Sequence, residues 1–71
     1  MKGEKLILPA AAMEKLLKKA GAHRVSADAK EKMREVLQDY SMELGAKAIR
    51  FAMHAGRKTV KAVDVKEAVR R

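Results

Sequence analysis

The sequence predicts an all-α protein in which one long central helix lies between two short ones. From Ser26 to Ala55 apolar residues recur in steps of three or four, with no proline and a single glycine. This is the spacing of one face of a helix. Shorter stretches with the same spacing precede Gly21 and follow Gly56, at the positions where helices commonly stop. We therefore expect the order short helix, loop, long helix, loop, short helix.

The first helix is predicted at residues 10–20, after Pro9. Its apolar face consists of Met13, Leu16, Leu17 and Ala20. Residues 1–7, "MKGEKLI", form a short leader whose role the sequence does not reveal, so the single folded domain is predicted to span residues 8–71.

The long helix has a favourable start and more apolar surface than its neighbours can cover. Ser26 is a good N-cap, and the Asp28 carboxylate suits the positive end of the helix dipole. Thirty residues span roughly 45 Å, and a second apolar row runs along the helix through Leu37, Met42, Ile49 and Met53. Two short helices leave the apolar surface in the middle of the long helix exposed. The simplest structure that would bury this surface is a dimer with a second copy of the chain. The predicted dimer core consists of Met33, Val36, Leu37, Tyr40, Leu44, Gly45 and Ala48.

Gly45 has two interpretations. A glycine inside a helix costs about 1 kcal/mol relative to alanine and often has a packing reason. Together with Ser41 and Ala48 it would let two helix backbones approach closely. The alternative is a tolerated glycine that faces solvent.

The third helix is predicted at residues 62–70, with Val65, Ala68 and Val69 on one face. The segments that precede the second and third helices repeat one pattern: "AGAHRVSA" from Ala20 and "AGRKTVKA" from Ala55. Two long helices that cross antiparallel would bring the first loop of one copy beside the second loop of the other. The valines of these loops, Val25 and Val60, are then expected to pair as short strands.

The composition favours an oligomer that binds a polyanion. A 71-residue chain without cysteine and with two histidines has neither disulfides nor a structural zinc site to stabilise it, which leaves oligomerisation. The net charge of +8 indicates a polyanionic partner. The longest apolar run is too short to span a bilayer, and no signal peptide is evident. We expect a soluble, intracellular protein with no cofactor, no metal, no small-molecule substrate and no membrane partner.

The positive charge is concentrated near the loops. No acidic residue occurs from Lys15 to Arg24 or from Leu44 to Val63. Cations, a hydroxyl and helix N-termini suit a phosphate backbone. Only Tyr40 and Phe51 are aromatic, which argues against stacking on single-stranded bases and for double-stranded DNA. The DNA-binding residues predicted from this chemistry are Arg24, Lys58, Thr59 and Lys61.

The stretches "LPAAAMEKLLKKAGAHRVSADA" and "AIRFAMHAGRKTVKAVDVKEAVRR" resemble an archaeal histone without tails, and the likeness covers residues 8–71. The resemblance implies a histone fold and an intertwined handshake homodimer, or a heterodimer with a paralogue. It also implies an architectural chromatin protein of the cytoplasmic nucleoid that wraps and compacts double-stranded DNA largely without sequence specificity. Dimers would stack into tetramers or larger assemblies on DNA.

The resemblance also assigns individual roles. Arg24 corresponds to a minor-groove arginine, with Thr59 of the other chain as its neighbour. Lys58 and Lys61 correspond to phosphate contacts of the second loop, and Lys15 and Lys18 to those of the first helix. The resemblance pairs Arg57 with Asp64 as a loop ion pair, and it places Phe51, His54 and Asp64 where dimers join. The chain departs from the usual pattern at Ala12, Met53 and Val63.

Other functions are less well supported. One alternative is a histone-fold protein-interaction subunit of a transcription complex, which acidic or apolar loops would favour, whereas the loops of this chain are basic. A DNA-bridging nucleoid protein stays open as an alternative to a wrapping one. A membrane-active helix would set its cations opposite a continuous apolar face, which is not observed. An enzyme is not expected, because no nucleophile lies near a histidine and no glycine-rich phosphate loop is present.

Overall fold

The computed structural model describes residues 5–70, and the prediction of an all-α fold in the order short, long, short is confirmed. Helix α1 spans Ala10–Lys19, α2 spans Ala27–His54 and α3 spans Ala62–Arg70. No strand occurs between residues 5 and 70, so the pairing of Val25 with Val60 across two chains stays a prediction. The chain divides into two compact units, with the boundary in the sequence between Asp39 and Tyr40, and α2 contributes to both.

The start of α2 is fixed by a side-chain cap, as the sequence predicts. The Ser26 hydroxyl accepts a hydrogen bond from the Ala29 backbone N–H at 3.2 Å and donates one to the Asp28 carboxylate at 2.5 Å. This satisfies one of the backbone donors that every helix leaves unpaired at its first turn. Helix α1 begins without such a bond, directly after the extended Pro9.

The first two helices end with the same backbone motif. After α1, the Gly21 N–H bonds to the Lys18 carbonyl and the Ala22 N–H to the Leu17 carbonyl, both at 3.0 Å. After α2, the Gly56 N–H bonds to Met53 and the Arg57 N–H to Ala52, both at 2.9 Å. These pairs form the Schellman motif, which needs a residue in the left-handed region. Both glycines supply it, with φ of +118° at Gly21 and +75° at Gly56.

Replacing Gly56 with alanine should therefore destabilise the protein. A Cβ at this position would meet no atom within 4 Å, so the cost comes from the left-handed backbone, about 1–2 kcal/mol for a residue with a side chain. Denaturant unfolding of Gly56→Ala should show this loss, with the exposed Ala55→Ser variant as a control of similar size. An unchanged unfolding free energy would contradict the argument.

The buried core of a single chain is small. In the described residues, the buried apolar side chains are Met13 in the first unit and Ala48, Ala52 and Ala68 in the second. Three of the four are alanines, so little apolar area leaves water in the single chain. The prediction placed Ala48 in the dimer core. Its side chain is 1% exposed in the single chain, so it belongs to the protomer's own core and has almost no surface for a partner.

Large apolar side chains remain on the surface instead. In the predicted dimer core, Val36 and Tyr40 are each 52% exposed, while Met33, Leu37 and Leu44 are partly buried. Exposed apolar residues in the second unit also include Met42, Ile49, Met53, Val63, Val65 and Val69. Exposed apolar surface of this extent marks an interaction site.

The leader joins the fold through main-chain hydrogen bonds. The side-chain amide of Gln38, which is 6% exposed, accepts a hydrogen bond from the Ile7 N–H at 2.6 Å and donates one to the Lys5 carbonyl at 3.0 Å. The Arg34 guanidinium donates to the Leu8 carbonyl at 2.7 Å. Residues 5–8 are thus attached to α2. Residues 1–4 of the predicted leader lie outside the described part of the chain.

Candidate nucleic-acid interface

The predicted DNA-binding side chains all lie on the surface. Residues 20–26, here called the first loop, and residues 55–61, the second loop, follow the two Schellman motifs. The six predicted DNA-binding residues are exposed: Lys15, Lys18, Arg24, Lys58, Thr59 and Lys61. No side chain from residues 5–70 covers them, so each is accessible to a polyanion.

An ion pair holds the second loop in place. The Arg57 guanidinium donates two hydrogen bonds to the Asp64 carboxylate, at 2.8 and 2.9 Å, and a third to the Thr59 carbonyl at 2.9 Å. The same carboxylate accepts the Lys61 backbone N–H at 2.7 Å. Asp64 is the third residue of α3, so this bond caps the helix start. The two side chains therefore link both ends of the loop.

Both partners of this pair hold their charge strongly. The hydrogen bonds from the Arg57 side chain and the Lys61 backbone lower the pKa of Asp64 from 3.8 to about 2, against the opposing effect of burial. The hydrogen bond to Asp64 raises the pKa of Arg57 above its ordinary value. Because the two charges offset each other, the outward charge of the loop comes from Lys58 and Lys61.

In the first loop, Arg24 lies at a surface cleft. The cleft is lined by Leu17, Ala22, Arg24, Val25, Ser26 and Ala29. The structure shows no ion pair between Arg24 and any of residues 5–70, and its side chain is exposed. It is available to a phosphate or to a groove of DNA.

The cations of α1 are partly engaged within the chain. Glu14 lies 3.4 Å from the ammonium groups of both Lys30 on α2 and Lys18 on α1. The hydrogen bond from Lys30 is the main cause that lowers the pKa of Glu14, followed by the attraction of its charge and by the contacts with Lys18. Lys18 would have to leave this exposed pair to reach a phosphate, at little cost. Lys15 forms no such pair among the described residues.

The two units divide the predicted interface between them. Lys15, Lys18 and Arg24 lie in the unit that ends at Asp39, while Lys58, Thr59 and Lys61 lie in the unit that begins at Tyr40. A composite site of Arg24 from one chain and Thr59 from another stays a prediction.

Among the residues predicted to join dimers, His54 is exposed and Phe51 is partly buried. The Asp64 side chain is only 4% exposed, so in the single chain it has little surface for another dimer. Met53 and Val63, which depart from the family pattern, are 67% and 52% exposed. Both add exposed apolar surface next to the second loop in the sequence.

The prediction did not identify Lys47 and Arg50 as site residues. Together with Phe51 and His54, they line a shallow groove of about 200 Å³ on the last turns of α2. The spacing of 47, 50 and 54 places the three basic side chains on one helix face. That spacing is visible in the sequence, but a lone lysine or arginine on a helix is usually only a solvated charge.

Neither a metal centre nor a membrane span is found in the described part of the chain. Residues 5–70 contain no group of three or more His, Cys, Asp or Glu side chains that could hold a metal ion. Within the same residues, no helix has the length and apolar character needed to cross a membrane.

The chain is similar to known proteins over most of its length. Residues 6–69 match the family described as histone-like transcription factor (CBF/NF-Y) and archaeal histone. A subunit of the archaeal histone HAN1 from Thermococcus zilligii is 56% identical over 63 residues, which cover 89% of this chain and 94% of the relative. Probable archaeal histone 3 from Methanocaldococcus jannaschii is 48% identical over 63 residues, with the same coverage.

Proposed function

The chain belongs to the family of archaeal histones and histone-like transcription factors, and we propose that it wraps and compacts double-stranded DNA as a homodimer that stacks into larger assemblies. It is a DNA-binding architectural chromatin protein with a histone fold, and it is not an enzyme. Its place in the cell is the nucleoid.

The observation that carries this proposal is the repetition of one basic loop in two equivalent structural settings. Each loop follows a Schellman motif and precedes a helix N-terminus. Arg24 is exposed in the first loop, and Lys58 and Lys61 in the second. Backbone amides at helix starts and exposed cations both bind phosphate. Side chains of these types contact the DNA backbone at any sequence.

Dimerisation is supported by the apolar surface of α2 and by the small core. A chain with three alanines among its four buried apolar residues in the described part, and with Val36 and Tyr40 half exposed, lacks the buried area that a stable fold of this size needs. A second copy placed on that surface would supply the missing area. Phe51 and His54 are the residues proposed to join one dimer to the next.

DNA binding should weaken steeply with salt and depend little on sequence. The logarithm of the binding constant should fall linearly with the logarithm of the salt concentration, because phosphate binding releases counterions. In Lys58→Gln/Lys61→Gln, this slope should decrease by about 2 per chain, about 1 for each lysine that no longer binds a phosphate. Fluorescence anisotropy with two duplexes of equal length and unrelated sequence measures both effects.

Lys5→Gln/Lys66→Gln is a matched control, since it removes the same charge from exposed positions outside the loops. Its slope should change much less. A strong preference for one duplex, or equal slopes for the two variants, would contradict the proposal. Nuclease digestion of the complexes tests wrapping separately: a regular series of protected fragments is expected, and a smear like that of free DNA would exclude it.

A further inference from the structure

The groove at the end of α2 combines three basic side chains with one aromatic side chain. Lys47, Arg50 and His54 share one helix face and line it together with Phe51. Lys47 is partly buried and Arg50 is exposed. We call these four residues the cationic groove. It contains none of the residues predicted to bind DNA.

No acidic side chain of the described residues neutralises this groove. The structure shows no ion pair of Lys47 or Arg50 with any of residues 5–70, and no acidic residue occurs between residues 44 and 63. The Asp64 carboxylate is bound by Arg57. Glu43 lies one turn before Lys47 on the same face, yet no ion pair joins the two.

The positive charge works against contact between two identical grooves. In the proposed function, on which this inference rests, Phe51 and His54 join dimers. A symmetric contact between identical dimers places the same patch on both sides. The positive charges of two identical grooves would then lie close together, and like charges across an interface are strongly unfavourable. An acidic surface at the same place would instead be attracted.

We propose that the cationic groove docks an acidic helix surface of a different histone-fold chain in preference to a second copy of itself. The partner is defined by its chemistry: carboxylates at helical spacing opposite Lys47 and Arg50, and an apolar side chain that packs on Phe51. Phe51 gives the groove an apolar component, which a protein surface can match and a phosphate backbone cannot. Specificity by repulsion of the wrong partner is common at such interfaces.

A charge-reversed copy of the chain provides the acidic probe. Dimers of Lys47→Glu/Arg50→Glu, mixed with wild-type dimers, should form tetramers with two chains of each kind. At about 50 mM salt these should be at least about tenfold tighter than wild-type tetramers, and at about 500 mM the difference should shrink because of screening. Sedimentation measures the association, and native mass spectrometry counts the chains. Lys66→Glu/Arg70→Glu, with the same change of charge on α3, should give no such gain.

A neutral variant tests the repulsion without adding acids. Lys47→Gln/Arg50→Gln dimers should associate with themselves more tightly than wild-type dimers do at low salt. Equal self-association of the two proteins, or mixed tetramers no tighter than wild-type ones, would overturn the proposal. The proposal would also be overturned if Lys47→Gln/Arg50→Gln reduced the DNA affinity, and its dependence on salt concentration, as much as Lys58→Gln/Lys61→Gln does. The groove would then bind DNA. All these outcomes require intact dimers that bind DNA, so they are distinct from failure of the proposed function.

Discussion

Replacing Gly45 with leucine should abolish DNA binding, although every cation of the chain remains. Gly45 lies three and seven residues before Ala48 and Ala52, on the helix face where both side chains are buried. A Cβ at Gly45 nevertheless meets no atom within 4 Å. The single chain therefore has room for a Cβ here, and leucine is a better helix former than glycine by nearly 1 kcal/mol. We expect the leucine side chain to meet a partner chain packed against this position, and this contact makes the change unfavourable.

The test measures association and DNA binding on the same samples. Gly45→Leu should sediment as a monomer or an unfolded chain, and its DNA affinity should fall by at least about a hundredfold, since neither loop alone supplies enough phosphate contacts. Ala46→Leu is the matched control, because Ala46 is exposed on the opposite side of α2 from the predicted dimer core. It should remain dimeric and bind DNA. A Gly45→Leu protein that still forms DNA-binding dimers would show that Gly45 only faces solvent.

Replacing Asp64 with asparagine should produce the largest loss of stability from a single polar side chain. Asparagine keeps the shape but removes the charge that binds Arg57, and it leaves the 2.7 Å cap of the Lys61 N–H weaker. The partly buried Arg57 guanidinium then loses its anionic partner. We expect the midpoint of thermal unfolding to fall by about 5–10 °C. Glu31→Gln, which breaks the more exposed pair with Arg34, should change it by much less.

The pH dependence of this loss has a definite sign. Because the fold lowers the pKa of Asp64 from 3.8 to about 2, the carboxylate contributes its full stabilisation above pH 3.8, and this contribution disappears as the pH falls through 2. The difference in unfolding free energy between wild type and Asp64→Asn should thus be constant near neutral pH and shrink between about pH 4 and pH 2. A difference that stays constant down to pH 2 would show that the ionised carboxylate is not its source.

The sequence predicts the helices well because their boundaries depend on local chemistry. Ser26 caps α2 with its own hydroxyl, and Gly21 and Gly56 take the left-handed conformation that the Schellman motif needs. Each of these signals acts within a few residues. The predicted ends of the helices therefore lie within about one residue of those in the structure.

Other features depend on residues far apart in the chain. Gln38 resembles any polar residue on a helix surface, and its burial follows from bonds to residues 31 and 33 positions away. The pairing of Arg57 with Asp64 followed from the resemblance to a family and not from spacing. The roles predicted for Tyr40 and Phe51 depend on a second chain, so one chain's sequence supports a prediction there but does not test it.

The attachment of residues 5–8 to α2 has a consequence for how this end of the chain can evolve. Gln38 and Arg34 bind the segment only through main-chain atoms of Lys5, Ile7 and Leu8, and the Ile7 side chain is 82% exposed. Most amino acids at positions 5 and 7 would satisfy the same hydrogen bonds, except proline at 7, which lacks the N–H. Inserting or deleting one residue between Lys5 and Pro9 would unpair a buried amide. Positions 5 and 7 are therefore free to vary in composition, while the length of the segment is constrained.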